Sequence, residues 1–269
     1  MPTPGKMLRA AAAVAVLALA AGCGRPAERE GEPVRLTLSA AASLHEVLAE
    51  LADRFEAEHP GTEVRVNLGA SGALRQQIEQ GAQVDVFVSA AGGPMDALAA
   101  RGLIDPETRA PFAANELVLV VPAGDDSEVR GWADLATPAA RRVALGAPAS
   151  VPAGEYAVQV LGSLGVYDAV RGKAVYAQNV RQVLAYVESG NVDAGVVYAT
   201  DGADSDGVRV VAQAPSGSHR PIVYPLAVVR STRRPREARA LARFLLGAEA
   251  RQALRRHGFR LPPPPDPAP

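Results

Sequence analysis

VRLTLSAAASLHEVLAELADRFEAEH, residues 34–59, changes its hydrophobic period halfway along. Val34, Leu36 and Leu38 alternate with polar residues through Ala40, the two-residue repeat of a strand with one face buried. From Ser43 to His59 the apolar positions are Leu44, Val47, Leu48, Leu51 and Phe55, spaced three and four apart as on one face of a helix. Between them stands Ala40-Ala41-Ala42-Ser43, small residues ending in a hydroxyl. A strand that runs through a short small-residue turn into an amphipathic helix is the unit from which α/β sheets are built.

The unit recurs outward from that stretch. Thr62–Leu68 reads as a second strand, Ala73–Gln80 as a helix and Val84–Ser89 as a buried strand, and the helix Pro94–Arg101 is closed by Gly102. Leu117–Val121 starts a second set: strand Val143–Leu145, helix Gly154–Leu164, strand Ala174–Tyr176, helix Val180–Ser189 and strand Ala194–Tyr198. Val223–Val229 is a late strand, Pro235–His257 a long helix, and residues 260–269 an extended, unpacked Pro-rich tail. No fixed internal period is present, which argues against a solenoid or propeller.

At 269 residues and 48% hydrophobic, the chain can bury a substantial core. Its 28 basic and 29 acidic side chains give a net charge of −1, so no broad field draws it to nucleic acid or anionic lipid. The N-terminus reads as a signal peptide over 1–22: Lys6 and Arg9, then an uncharged run Ala10–Ala21, too short to span a bilayer. Leu19-Ala20-Ala21-Gly22-Cys23 resembles the lipobox of bacterial lipoproteins, whose cysteine is acylated, although Ala20 stands where leucine is commonest. Residues 23–33 then form a lipidated tether. Cleavage removes two bases and no acid, taking the balance to −3.

Catalytic constellations are sparse. His45, His59, His219 and His257 have no metal-ligand spacing. Gly69-Ala70-Ser71-Gly72-Ala73 is one residue short of a nucleophile elbow, and no histidine has the setting of its base. Asp201, Asp204 and Asp206 lack the spacing of a calcium loop and read as a solvated turn between strands. What repeats instead is a strand end, small or hydroxyl residues, and a helix start: at Ser43, at Ser71, at Val151-Pro152-Ala153-Gly154 and before Val180. The first turn of a helix leaves its N–H groups without internal partners and favours negative charge. Several such ends, with the hydroxyls of Ser43, Ser71 and Tyr198, coordinate an oxyanion without a formal cation. Arg75, Arg181, Glu46 and Glu188 read as exposed helix charges.

AAASL (Ala40–Leu44), GASGALRQQIEQGAQVDVFVSA (Gly69–Ala90), VPAGEYA (Val151–Ala157), GVVYATD (Gly195–Asp201) and YPLAVV (Tyr224–Val229) together resemble the substrate-binding proteins of bacterial molybdate ABC transporters, in order, from about Arg35 to Phe259. The resemblance implies the type II periplasmic-binding-protein fold: two Rossmann-like α/β lobes with mixed, mostly parallel sheets, lobe one holding 34–113 and 224–259 and lobe two 114–223. Two crossovers near Phe112–Asn115 and Ile222–Pro225 join them. It implies oxyanion contacts at Ser43, Ser71, Ala153, Val180 and Tyr198, with Ser71 the sole hydroxyl residue on its loop. It further implies a non-enzymatic, exported, monomeric protein that is anchored through Cys23 and has no cofactor. Such a protein takes up molybdate or tungstate in the interlobe cleft and hands it to a membrane permease. Another anion on the same scaffold, a serine hydrolase using Ser71, and a sensor for a membrane receptor remain alternatives.

Overall fold

The structure is a computed structural model that describes residues 33–124 and 127–262. The expected signal peptide, Cys23, the tether up to Glu32 and the tail beyond Pro262 lie outside the described residues.

Two five-stranded sheets divide the chain between them. The first contains β1 (Val34–Ala41), β2 (Thr62–Gly69), β3 (Val86–Val88), β4 (Ala110–Asn115) and β10 (Ile222–Val228), in the order β2-β1-β3-β10-β4. The second contains β5 (Leu117–Pro122), β6 (Val143–Gly146), β7 (Ala174–Ala177), β8 (Ala194–Tyr198) and β9 (Val208–Gln213), in the order β7-β6-β8-β5-β9. β1 pairs in parallel with β2, from Val34↔Thr62 to Ala41↔Gly69, and with β3. β6 likewise pairs in parallel with β7 and β8. Only β10 and β5 run against their neighbours. Each sheet is thus mixed, with two parallel and two antiparallel pairings, and four of its five strands point the same way.

Chain passes between the sheets twice, at Glu116 outward and through residues 214–221 on return. α1 (His45–Glu58) follows a 3-10 turn at Ala42–Leu44 and buries Val47, Leu48, Leu51 and Phe55. α2 (Ser71–Glu79) and α3 (Gly92–Ala100) complete that half, while α4 (Pro152–Ser163), α5 (Tyr167–Arg171) and α6 (Val180–Glu188) serve the second sheet. Because the parallel strands all point one way within a sheet, the helix starts that follow them gather at one edge.

Three local expectations are corrected. The segment around Asp201 is a short helix, α7 (Ala199–Ala203), with Asp201 buried; the Asp201 carboxylate accepts the Tyr198 N–H, which caps the turn, and Gly202 lets it pack against Val118 and Val210. The long C-terminal helix is two, α8 (Pro235–Leu245) and α9 (Ala248–Arg256), separated where Gly247 adopts extended backbone (φ −75°, ψ 178°). Arg260, placed in the unpacked tail, pairs instead with Ala114 of β4 by two backbone bonds of 2.8 and 3.0 Å. The sequence reading missed β4, β9 and α5.

Candidate functional site

Ser43 follows β1, Ser71 follows β2, Ala153 follows β6, Val180 follows β7 and Tyr198 ends β8. These five positions, two from the first half and three from the second, line a single cavity. Its volume is about 10 Å³, against the several hundred Å³ of an organic ligand's pocket. Such a space suits one compact group. No residue lining it carries a formal charge.

The donors can be built one at a time. Ser71 is the first residue of α2 and is fully buried; its Oγ accepts the Ala90 N–H at 2.9 Å. Ala153 is the second residue of α4, after Pro152, which fits a helix start because its missing N–H would have no acceptor there. Val180 opens α6 behind Asn179, whose Oδ1 accepts the Gln182 N–H at 3.0 Å and so leaves the earlier amides unspent. Among the described residues, the amides of Ser71, Ala153 and Val180 have no acceptor outside their helices, and first-turn amides have none within. Ser43 lies in the 3-10 turn with its Oγ 3.1 Å from the Tyr224 hydroxyl.

Tyr198 differs from the rest. It is 1% exposed, and its hydroxyl has no hydrogen-bond partner among the described residues. Burial holds the phenol's pKa well above its ordinary value, with nearby Tyr224 and Asp201 acting in the same direction, so the oxygen keeps its proton. A buried hydroxyl without a partner is costly unless something else accepts from it. Around one small volume, then, the fold assembles amide and hydroxyl donors with no cation among them.

Charge enters one layer out. Arg181 bonds Glu46 at 3.1 Å and lies 3.9 Å from Asp201 Oδ1, so α6 of one half grips α1 of the other. Glu46 and Arg181 are therefore a half-buried ion pair between the halves, not two independent solvated charges. Arg75 is held within α2 by Glu79 at 2.6 Å, whereas Glu188 is exposed. Burial raises the Asp201 pKa from 3.8 to about 7, against the pull of Arg181 and the Tyr198 N–H; Glu46 and Asp204 add to the rise. Between pH 4 and 7 the folded protein retains a proton on Asp201 that the unfolded chain has lost, so Asp201's contribution to stability falls as pH rises. Asp201→Asn should flatten that fall, measured as the difference between urea unfolding free energies at pH 4.5 and 7.5. An unchanged difference would show that Asp201 does not titrate there.

Among the described residues no hydrolase geometry forms around Ser71. Its Oγ partner is a backbone amide, while His45, His59, His219 and His257 contact Glu46, the Phe55 carbonyl, the Arg220 carbonyl and Glu50 respectively. Among the described residues no cluster of three His, Cys, Asp or Glu side chains can hold a metal. A larger cleft of about 490 Å³ borders Arg109 and Arg220, but both arginines are already paired, with Asp96 and Glu155. Sequence reasoning missed Asn115, Thr200 and Tyr224, which form a buried polar group behind Ser43. Tyr224 was visible only as part of an apolar strand, and no short-range pattern joins it to positions 43 and 115.

Comparison with known proteins places this arrangement in context. The profile of a family described as bacterial extracellular solute-binding protein matches residues 36–260. YvgL of Bacillus subtilis (strain 168), carried as a candidate ABC transporter substrate-binding lipoprotein, is 42% identical over 250 residues, 92% of this chain and 95% of its own. The molybdate-binding protein ModA of Escherichia coli (strain K12) is 36% identical over 234 residues, covering 84% of this chain and 89% of its own. Among solved structures, the periplasmic molybdate-binding protein of Azotobacter vinelandii superposes with a TM-score of 0.76 at 26% identity, over 85% of this chain and 100% of that one.

Proposed function

The chain belongs to the bacterial extracellular solute-binding protein family, and from that premise we propose that it captures molybdate, with tungstate as a second ligand, and delivers it to an ABC permease. One observation carries this reading: Ser43, Ser71, Ala153, Val180 and Tyr198, from both halves of the fold, border one small cavity whose lining residues are uncharged. The ligand is bound as a fully deprotonated tetrahedron. Hydroxyls of Ser43, Ser71 and Tyr198 and the amides of Ala153 and Val180 each donate to an oxygen, and no group is consumed. Charge-assisted bonds of this kind are about twice as strong as neutral ones, and donors already oriented need no reorganisation. Contacts from both halves exist only when the halves are together, so the anion favours the closed state by the difference in contacts, and closure is the signal a permease reads. The protein is anchored through acylated Cys23, performs no catalysis and needs no cofactor.

Heating the purified protein with molybdate, tungstate, sulfate or phosphate tests this. A ligand present at about one hundred times its Kd and bound only to the folded state adds roughly 2.7 kcal/mol, which at this chain length moves the melting point by roughly 5–10 °C. Molybdate and tungstate should both do so, and phosphate should not. No shift with saturating molybdate would overturn the reading.

A further inference from the structure

We infer that Asn115 and Tyr224 fix the hydrogen-bond polarity of Ser43, and that this pair is a determinant restricting the site to oxyanions that carry no proton. The inference rests on the function proposed above and concerns two residues that line no part of the cavity.

The direction of each bond follows from the one before it. Asn115, the last residue of β4, takes the Glu116 N–H on Oδ1 at 2.8 Å. That contact fixes which end of the amide is oxygen. Nδ2 therefore faces Thr200 Oγ1 at 3.0 Å and the Tyr224 hydroxyl at 3.4 Å, and an amide nitrogen only donates. Among the described residues the Tyr224 hydroxyl, on a fully buried side chain, has one other partner at hydrogen-bond distance, Ser43 Oγ at 3.1 Å. With Asn115 Nδ2 donating to the same phenol oxygen, the assignment that uses the Tyr224 proton within that distance has Tyr224 donating and Ser43 accepting. Burial raises the phenol's pKa, which keeps that proton in place.

Having accepted from Tyr224, the Ser43 hydroxyl must aim its own proton elsewhere, and the free direction is the cavity it borders. Ser71 reaches the same condition by a different route, accepting from the Ala90 amide. Backbone sets the polarity of Ser71 and cannot be altered by a side-chain change. The polarity of Ser43 hangs on two side chains. With both serines turned as donors, the one side-chain hydroxyl of the set left free to accept from a hydrogen phosphate or hydrogen arsenate is that of Tyr198, and the donor the site loses by turning it is the penalty. If Tyr224 loses its hydroxyl, Ser43 can turn over and accept, and the penalty falls.

Calorimetry with molybdate and with inorganic phosphate, on the purified wild-type protein, Tyr224→Phe, Ser43→Ala and the double variant, tests this. Tyr224→Phe should weaken molybdate binding about 10-fold and lower the molybdate-to-phosphate preference by at least that factor. In the Ser43→Ala background the same change should do neither, because the effect passes through Ser43. Asn115→Ala, which frees the Tyr224 hydroxyl to turn, should shift the preference in the same direction by a smaller factor. Equal losses in both backgrounds, or a preference unchanged in Tyr224→Phe and Asn115→Ala, would overturn the inference while leaving molybdate capture intact. A wild-type protein blind to molybdate would instead remove the function itself, and this inference with it.

Discussion

Gly72→Val should cost at least about 100-fold in molybdate affinity while barely moving the melting point of the ligand-free protein. Gly72 is the second residue of α2, in the half built on the first sheet, and its N–H donates to the Ser150 carbonyl at 2.9 Å. Ser150 precedes α4, in the other half. A Cβ at position 72 would stand 2.6 Å from that carbonyl oxygen and 2.8 Å from the Ser150 Cα. Both obstructing atoms are backbone, so no rotamer change relieves the contact, and the halves must stay apart. Apparent affinity is the intrinsic affinity scaled by the fraction of closing-competent protein. A hundredfold fall in that fraction corresponds to about 2.8 kcal/mol, which a lost backbone bond plus a steric clash readily supplies. Gly72→Ala should fall between wild type and valine. Calorimetry with molybdate, paired with small-angle scattering before and after ligand, reads both halves of the expectation. A valine variant that binds and compacts like wild type would show that closure does not bring residues 72 and 150 together.

Where the sequence was informative, a single local element carried the signal. Ser43, Ser71, Ala153 and Val180 each sit where a two-residue period gives way to a three-to-four-residue one, and that change is visible within about ten positions. The observed helix starts differ only slightly: α2 begins at Ser71 rather than Ala73, and α4 at Pro152 rather than Gly154. Both shifts place the candidate donor inside the first turn. Other features depend on residues far apart in the chain. Tyr224 reaches Ser43 across 181 positions and Asn115 across 109, and nothing in YPLAVV distinguishes a polar anchor from a core aromatic. β4, with the sequence APFAAN, has no alternation because it lies beside β10 at the passage between sheets. Asp201 was misread because two further acids nearby suggested solvent. Its burial follows from the tertiary position of α7 and from the Tyr198 amide it caps, neither of which a local pattern encodes.

The largest effect on stability should come from Gly154→Ala, a change that adds one methyl group. Gly154 is the third residue of α4 and packs directly on the end of β6. An added Cβ would lie 2.0 Å from the Gly146 carbonyl oxygen and 2.5 Å from its carbon. Gly146 is subject to the same constraint from the other side, since a Cβ there would approach Val151 to 2.5 Å. Two glycines thus let a helix start press on a strand end, and that pressure holds the Ala153 amide, one residue away, at the cavity. Alanine normally favours a helix over glycine by about 1 kcal/mol, so propensity alone forecasts a gain. At this contact the overlap is with backbone on a fully buried strand, and overpacking of that severity costs about 3 kcal/mol. The net expectation, about 2 kcal/mol after the propensity gain, is a fall of roughly 4–8 °C in melting temperature together with weaker molybdate binding, because α4 cannot clear Gly146 without carrying Ala153 away from the opposing serines. Gly162→Ala, with nothing near its added Cβ in the same helix, is the control and should hold or raise stability. If Gly154→Ala melts no lower than Gly162→Ala, the strand end yields to the helix and the close approach does not position the donor.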